Sequence, residues 1–295
     1  MKIAVTGASG LIGTALVPAL RAAGHEVVRF VRGPAQAVDE RRWDPASRRV
    51  EPAAVADLDA VVHLAGVGVA DSRWTPTYKA KILASRVDGT TAIARAVAQA
   101  GGPGVLLSAS AIGWYGETGE ALTDESGPMG QGFLADVCQQ WEQATMPAQD
   151  AGVRVVHLRT GIVLASQGGA LPRLQKIYKV GLGAPLGSGH QWMSWISLQD
   201  EVAAIVHCLS AQVAGPVNLV GPSPVTNRVF TKALGAAVHR PTLPVPVPGF
   251  VLQALLGDFA QEGLLTGQRL APAALEGSDF VFMHRELASA LQANL

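Results

Sequence analysis

The stretch Lys2-Ile3-Ala4-Val5-Thr6-Gly7-Ala8-Ser9-Gly10-Leu11-Ile12-Gly13 restricts the fold of this chain more than any other. It opens with a short apolar run, Ile3 to Val5, of the kind that forms a buried strand. Three glycines follow at three-residue intervals, Gly7, Gly10 and Gly13. An apolar helical pattern then runs through Leu16, Val17 and Leu20 until Gly24, and Glu26-Val27-Val28-Arg29-Phe30-Val31 reads as a second strand. Strand, glycine turn, helix and strand make up the βαβ unit that binds dinucleotides. In that unit Gly7 permits the tight turn off the strand, and Gly13 lets the helix pack closely. Gly10 lets backbone N–H groups approach a pyrophosphate at the positive end of the helix, with Ser9, Leu11 and Ile12 in the same cradle. Pro18 falls inside the helix and predicts a kink or a weakened turn.

The alternation continues. Val61 to Gly66, Val105 to Ser108 and Val153 to Leu158 read as buried strands, and Lys79–Ala100 and Phe133–Gln149 as helices. Between the first helix and Val61 lies a polar segment holding Arg41-Arg42-Trp43-Asp44. Strands alternating with helices predict an α/β fold, a Rossmann-type doubly wound parallel sheet with a smaller C-terminal substrate lobe. Ligands of such sheets bind at the carboxyl ends of the strands, where Gly7, Arg32, Leu64, Ser108 and Arg159 are expected. The predicted organisation is a cofactor domain over residues 1–165 with a return segment near 194–222. Residues 166–193 and 223–295 form the substrate lobe, and the cleft between the two holds the ligands.

The balance of 23 Lys+Arg against 23 Asp+Glu argues against nucleic acid as a partner, because that affinity needs an excess of positive charge. Two cysteines far apart, Cys138 and Cys208, suggest neither a disulfide framework nor a zinc site. The strand begins at Lys2, which leaves no room for a signal peptide, and the longest apolar run, Val245–Leu256, is interrupted by Pro246, Pro248 and Gly249. The expectation is a cytoplasmic protein without a membrane partner, acting on a small molecule.

Several short motifs together resemble the extended short-chain dehydrogenase/reductases. They are Thr6-Gly7-x-x-Gly10-x-x-Gly13, Leu64-Ala65-Gly66, Arg73-Trp74, Ser85-Arg86, Ser110 with Tyr115-Gly116, Cys138-x-x-Trp141-Glu142 and Leu158-Arg159-Thr160-Gly161. Gly187-Ser188-Gly189-x-Gln191 with Trp195-Ile196, and Gly267-Gln268-Arg269 with Pro272, narrow the likeness to the atypical, sugar-nucleotide-epimerase-like branch. The resemblance implies that Leu64, Ala65, Gly66, Ser108 and Ile162 line a cofactor. It also implies that Lys81 and Arg86 reach its phosphates or nicotinamide side and that Trp43-Asp44 flank the adenine. A solvated helix face and a loop anchor remain the alternatives for these last four. The acid that binds the ribose hydroxyls in NAD-binding folds is replaced by Val31, and Arg32 follows it, which favours NADP(H).

Catalysis is where the chain departs from its relatives. Their Tyr-x-x-x-Lys is expected near Phe133-Leu134-Ala135-Asp136-Val137, which has neither phenol nor amine. Ser110 fits the family's serine, and Tyr115 is the hydroxyl left as an acid, with a packing tyrosine at the start of the loop as its other reading. Glu142 reads as a structural pair, Cys138 as a small buried residue, and His190 as the histidine best placed for substrate. Two readings stay open, an NADP(H)-dependent oxidoreductase or epimerase, and an inactive NADP(H)-binding sensor.

Overall fold

The computed structural model describes all residues, 1–295. Its main sheet has seven strands: β1 (Lys2–Thr6), β2 (Glu26–Val31), β3 (Glu40–Arg42), β4 (Ala60–His63), β5 (Val105–Ala111), β6 (Arg154–Thr160) and the C-terminal strand Gly215–Leu219. In space they run Gly215–Leu219, β6, β5, β4, β1, β2, β3, and the pairs from β5 to β3 are parallel. The chain winds outward from β1 to β3, then returns to β4 on the other side of β1. The direction therefore reverses between β1 and β4, at the carboxyl ends where such sheets bind ligands.

The expected elements are present, with informative exceptions. α1 (Leu11–Ala22) continues through Pro18 as one helix, burying Gly13, Leu16, Val17 and Leu20. α2 (Pro76–Ala100) begins where Thr75 Oγ1 accepts the N–H of Tyr78, and stops at Gly101 with φ 64°. The single helix predicted over 133–149 is two, α3 (Phe133–Gln143) and α4 (Met146–Asp150), because Pro147 cannot donate and starts a new helix instead. β3 lies in the segment read as merely polar. β4 stops at His63, so Leu64-Ala65-Gly66 is loop, and β5 extends to Ala111, so Ser108 lies within it.

The chain divides into two compact units. One comprises Met1–Ala111, Val137–Arg159 and Val202–Val217. Its core brings Ala4, Val28, Phe30 and Val61 from the strands against Ile93 and Val97 of α2 and Ala148 of α4. The other comprises Ile112–Asp136, Thr160–Glu201 and Asn218–Leu295, so residues 112–136 group with the C-terminal segments rather than with the predicted cofactor domain. Its core joins Leu164, Tyr178, Trp195, Phe230 and Leu291. No helix is long and apolar enough to cross a membrane.

Candidate functional site

The glycines of the first unit divide the labour much as their spacing predicts. Gly7 has φ +67°, and a Cβ there would stand 2.9 Å from the Leu64 backbone, so this corner needs glycine twice over. At Gly13 a Cβ would lie 2.2 Å from the Gly7 carbonyl oxygen, so the helix closes against the turn itself rather than against the strand. Gly10 differs: its φ is −80°, and only the Gly7 oxygen, at 3.2 Å, lies near its absent Cβ. Room beside that oxygen, not a special backbone angle, is what glycine provides here. α1 has no capping side chain, and its first internal bond runs from Thr14 N–H to the Gly10 carbonyl. The N–H groups of Leu11, Ile12 and Gly13 therefore point out of a positive helix end beside exposed Ser9 and Gly10, an arrangement that fits a pyrophosphate.

Across the reversal point, Thr6 fixes the neighbouring loop. Its Oγ1 accepts the N–H groups of Leu64 (3.1 Å) and Ala65 (3.2 Å) and is hydrogen-bonded to His63 Nδ1 at 2.8 Å, while His63 Nε2 is buried without a partner. Full burial pushes its pKa down to about 4, so the ring is neutral, standing edge-on to Trp43 at 5.8 Å. Trp43 is itself 5% exposed and packed against Phe30, so it is part of the core rather than an open platform for adenine. Asp44 accepts the N–H of Ala46 and starts a short turn.

At the end of β2, Val31 is half-buried and Arg32 exposed, with no protein group engaging its guanidinium. The nearby arginines are occupied: Arg29 grips Asp39 with two bonds (2.8 and 2.9 Å), and Arg41 grips Asp57 (2.6 and 2.7 Å). Arg42 stands opposite Val31 in the β2–β3 register, equally exposed and unpaired. It was missed because the Arg41-Arg42 pair gives no strand signal in the sequence. Lys81 is exposed on α2. Arg86 is committed elsewhere, donating to the carbonyls of Val67 (2.9 Å) and Ile82 (3.2 Å) with its guanidinium 4.8 Å over Trp141, an anchor rather than a free phosphate ligand. Ser108 is fully buried and Arg159 is 3% exposed, so neither side chain opens at the strand ends. Ile162 is half-buried in the second unit, in β7 (Ile162–Leu164).

Behind Ser110 lies a buried ionic network. Its hydroxyl donates to Glu142 Oε1 at 2.7 Å, and Arg159 clasps both carboxylate oxygens of Glu142 at 2.8 and 2.9 Å. His157 Nδ1 stands 3.6 Å from Glu142 Oε2, while its Nε2 is 2.9 Å from Thr145 Oγ1. Burial lowers the His157 pKa, against the pull of Glu142. Cys138 Sγ points to the Ala111 carbonyl, and burial pushes its thiol up to about 12, which removes it as a nucleophile. In the second unit Tyr115 is 2% exposed and donates to Asn218 Oδ1 at 2.7 Å. Nearby in sequence, Glu201 is fully buried, bonded through Oε1 to Thr160, and its pKa is raised to about 8 by desolvation.

A parallel sheet with an open glycine cradle at its reversal point defines a Rossmann-type dinucleotide-binding protein. The chain belongs to the NAD dependent epimerase/dehydratase family, which matches residues 3–221; residues 247–293 match a domain of unknown function, DUF1731. Epimerase family protein Mb2239 of Mycobacterium bovis is 49% identical over 98% of this chain and 96% of its own length. Epimerase family protein YfhF of Bacillus subtilis is 33% identical, covering 99% of this chain and 97% of that one. The crystal structure of human epimerase family protein SDR39U1 with NADPH is similar at a TM-score of 0.90 and 34% identity, over 99% of this chain and 98% of that one. Thermus thermophilus UDP-glucose 4-epimerase, at 20% identity and TM-score 0.77, shares the fold.

Proposed function

We propose that this chain binds NADP(H) in the glycine cradle and is an oxidoreductase or epimerase for a small polar substrate of nucleotide-sugar type. The observation that carries the cofactor reading is Arg32, exposed and unpaired, next to Val31, which stands where NAD-binding folds place an acid. Arg42, exposed and unpaired opposite Val31 in the register, is the second cation for a 2′-phosphate. Binding of NADPH by human SDR39U1 supports the same choice. Leu64, Ala65 and Gly66 form the opposite wall, with Lys81 as a further contact. The two cysteines, both buried and unlinked, are in keeping with the cytoplasm.

When bound, the nicotinamide accepts or supplies a hydride. Ser110 and Tyr115 are the hydroxyls proposed to exchange the accompanying proton with substrate. Each spends its own proton on an internal acceptor, Glu142 and Asn218, and has to trade that bond for one to the substrate. Those two bonds, with the missing Tyr-x-x-x-Lys, favour a second reading, a sensor that binds NADP(H) without turnover. Titration calorimetry with NADPH and NADH tests the cofactor reading: NADPH should bind at least tenfold tighter, and equal or tighter binding of NADH overturns it.

A further inference from the structure

Within the second unit, residues 160–199 and 218–257 hold six basic side chains, Arg173, Lys176, Lys179, Arg228, Lys232 and Arg240, and no Asp or Glu. The chain as a whole is balanced at 23 against 23, so this excess is local. α5 (Leu171–Lys179) buries Leu171 and Tyr178 and turns Lys176 and Ile177 outward, with Lys179 and Val180 exposed at its end. Three bonds hold that end against the chain that follows the helix Asn227–Ala237. Arg240 Nε donates to the Lys179 carbonyl (3.1 Å), Leu243 N–H to that of Gly183 (2.8 Å) and Val247 N–H to that of Pro185 (2.8 Å). The cations of α5 and Arg240 therefore share one surface. Lysines in the last turn suit the negative end of a helix, but that does not account for the apolar residues among them.

Those apolar residues are numerous. Ile177, Val180, Leu182, Leu243, Val245 and Phe250 are from 44% to 74% exposed. Pro244, Pro246 and Pro248 alternate with them, and the pinned ends of 243–247 leave Val245 outward. The helix Gly249–Leu256 that follows has no charged residue and buries only Leu252. Apolar surface on this scale marks an interaction site. The negative groups beside it are Asp258, past the last helix, and the Leu295 end of the chain, whose oxygen accepts Gln175 Nε2 at 3.3 Å. Glu120, Glu125 and Glu286 engage Trp192, Asn218 and Ser223 instead. The face is left positive.

Protein interfaces are depleted in lysine and enriched in aromatic residues. Here the cations flanking the apolar side chains are mostly lysines, and those side chains are mostly aliphatic. That combination suits lipid head groups: lysine stems lie along apolar surface with their charge at the phosphates, while the apolar tips enter the acyl boundary. We infer that this face binds the surface of an anionic lipid bilayer. No helix is long and apolar enough to cross a membrane, and a face of this kind lies on one instead. The test sediments the full chain with vesicles of phosphatidylglycerol and phosphatidylcholine in equal parts, and with phosphatidylcholine alone. The protein should pellet with the mixed vesicles only, and raised salt should release it. Lys176→Glu with Lys179→Glu should weaken binding at least tenfold, and Phe250→Ser several-fold. All three positions are exposed, so thermal unfolding and NADPH affinity of the variants should match the parent. No pelleting with mixed vesicles, equal pelleting with neutral ones, or parent-like binding by both variants overturns the inference. A dimer in sedimentation velocity that Phe250→Ser abolishes, without vesicle binding, overturns it in favour of a second copy on this face.

Discussion

At Gly10 the backbone is ordinary, and an added Cβ would meet one atom, the Gly7 carbonyl oxygen at 3.2 Å, which makes this glycine a milder probe of ligand approach than its neighbours. Gly10→Val should leave a folded protein and weaken NADPH binding at least tenfold in a fluorescence titration; unchanged affinity would remove the turn from the site. Gly7 and Gly13 would make poor probes, since a Cβ at either strikes backbone within 2.9 Å. For Arg32→Ala the loss is a charge-assisted contact to the 2′-phosphate, worth about 1.5–3 kcal/mol. NADPH and NADH affinities should then converge, with Arg42→Ala contributing a smaller part, as read by calorimetry. Glu201 gives a pH signature. With a folded pKa of about 8 against an ordinary 4.5, the folded state keeps a proton that the unfolded state has released. Stability from this group therefore falls by about 1.4 kcal/mol per pH unit as pH rises across that window. Below 6.5 the depressed His63 and His157 act in the opposite sense, so the fall should show between pH 6.5 and 8. Denaturant unfolding of Glu201→Gln should show that slope abolished.

Between elements, the Ser110–Glu142–Arg159 contacts tie β5, α3 and β6 together inside the first unit. Removing the carboxylate would take two charge-assisted bonds from a 3%-exposed guanidinium, and breaking buried pairs in this way costs about 3–5 kcal/mol. Glu142→Ala should lose that much in urea unfolding; a loss under 1 kcal/mol would mean that the bonds of Arg159 outside this pair hold it in place. The same argument makes Glu142 a poor base, because protonating it would cost the buried charge pair with Arg159. Strands and helices of this unit were legible from period and apolar runs, since burial on one face or two imposes those patterns. What escaped were features set by single backbone groups or by pairing across the sheet. Pro147 splits a helical pattern through its missing N–H, and the short edge strand β3 has no β-branched run to announce it. The Glu142–Arg159 pair joins residues on different elements, which no local pattern reveals.

For the whole chain, the glycine spacing and the Val31-Arg32 step were enough to suggest the fold and the cofactor class, because phosphate binding constrains backbone locally. Chemistry was less legible, because a hydroxyl's role depends on what accepts its proton, and Glu142 and Asn218 are distant in sequence from Ser110 and Tyr115. This difference separates the enzyme reading from the sensor reading. A catalytic hydroxyl has to release its internal acceptor when substrate arrives, so turnover should be slow and lost in both Ser110→Ala and Tyr115→Phe. The measurement is NADPH consumption against a panel of carbonyl and nucleotide-sugar substrates, with both variants in parallel. Activity that survives in both variants would remove these hydroxyls from the mechanism. Tight NADPH binding with no turnover across the panel would establish the sensor reading in place of the enzyme.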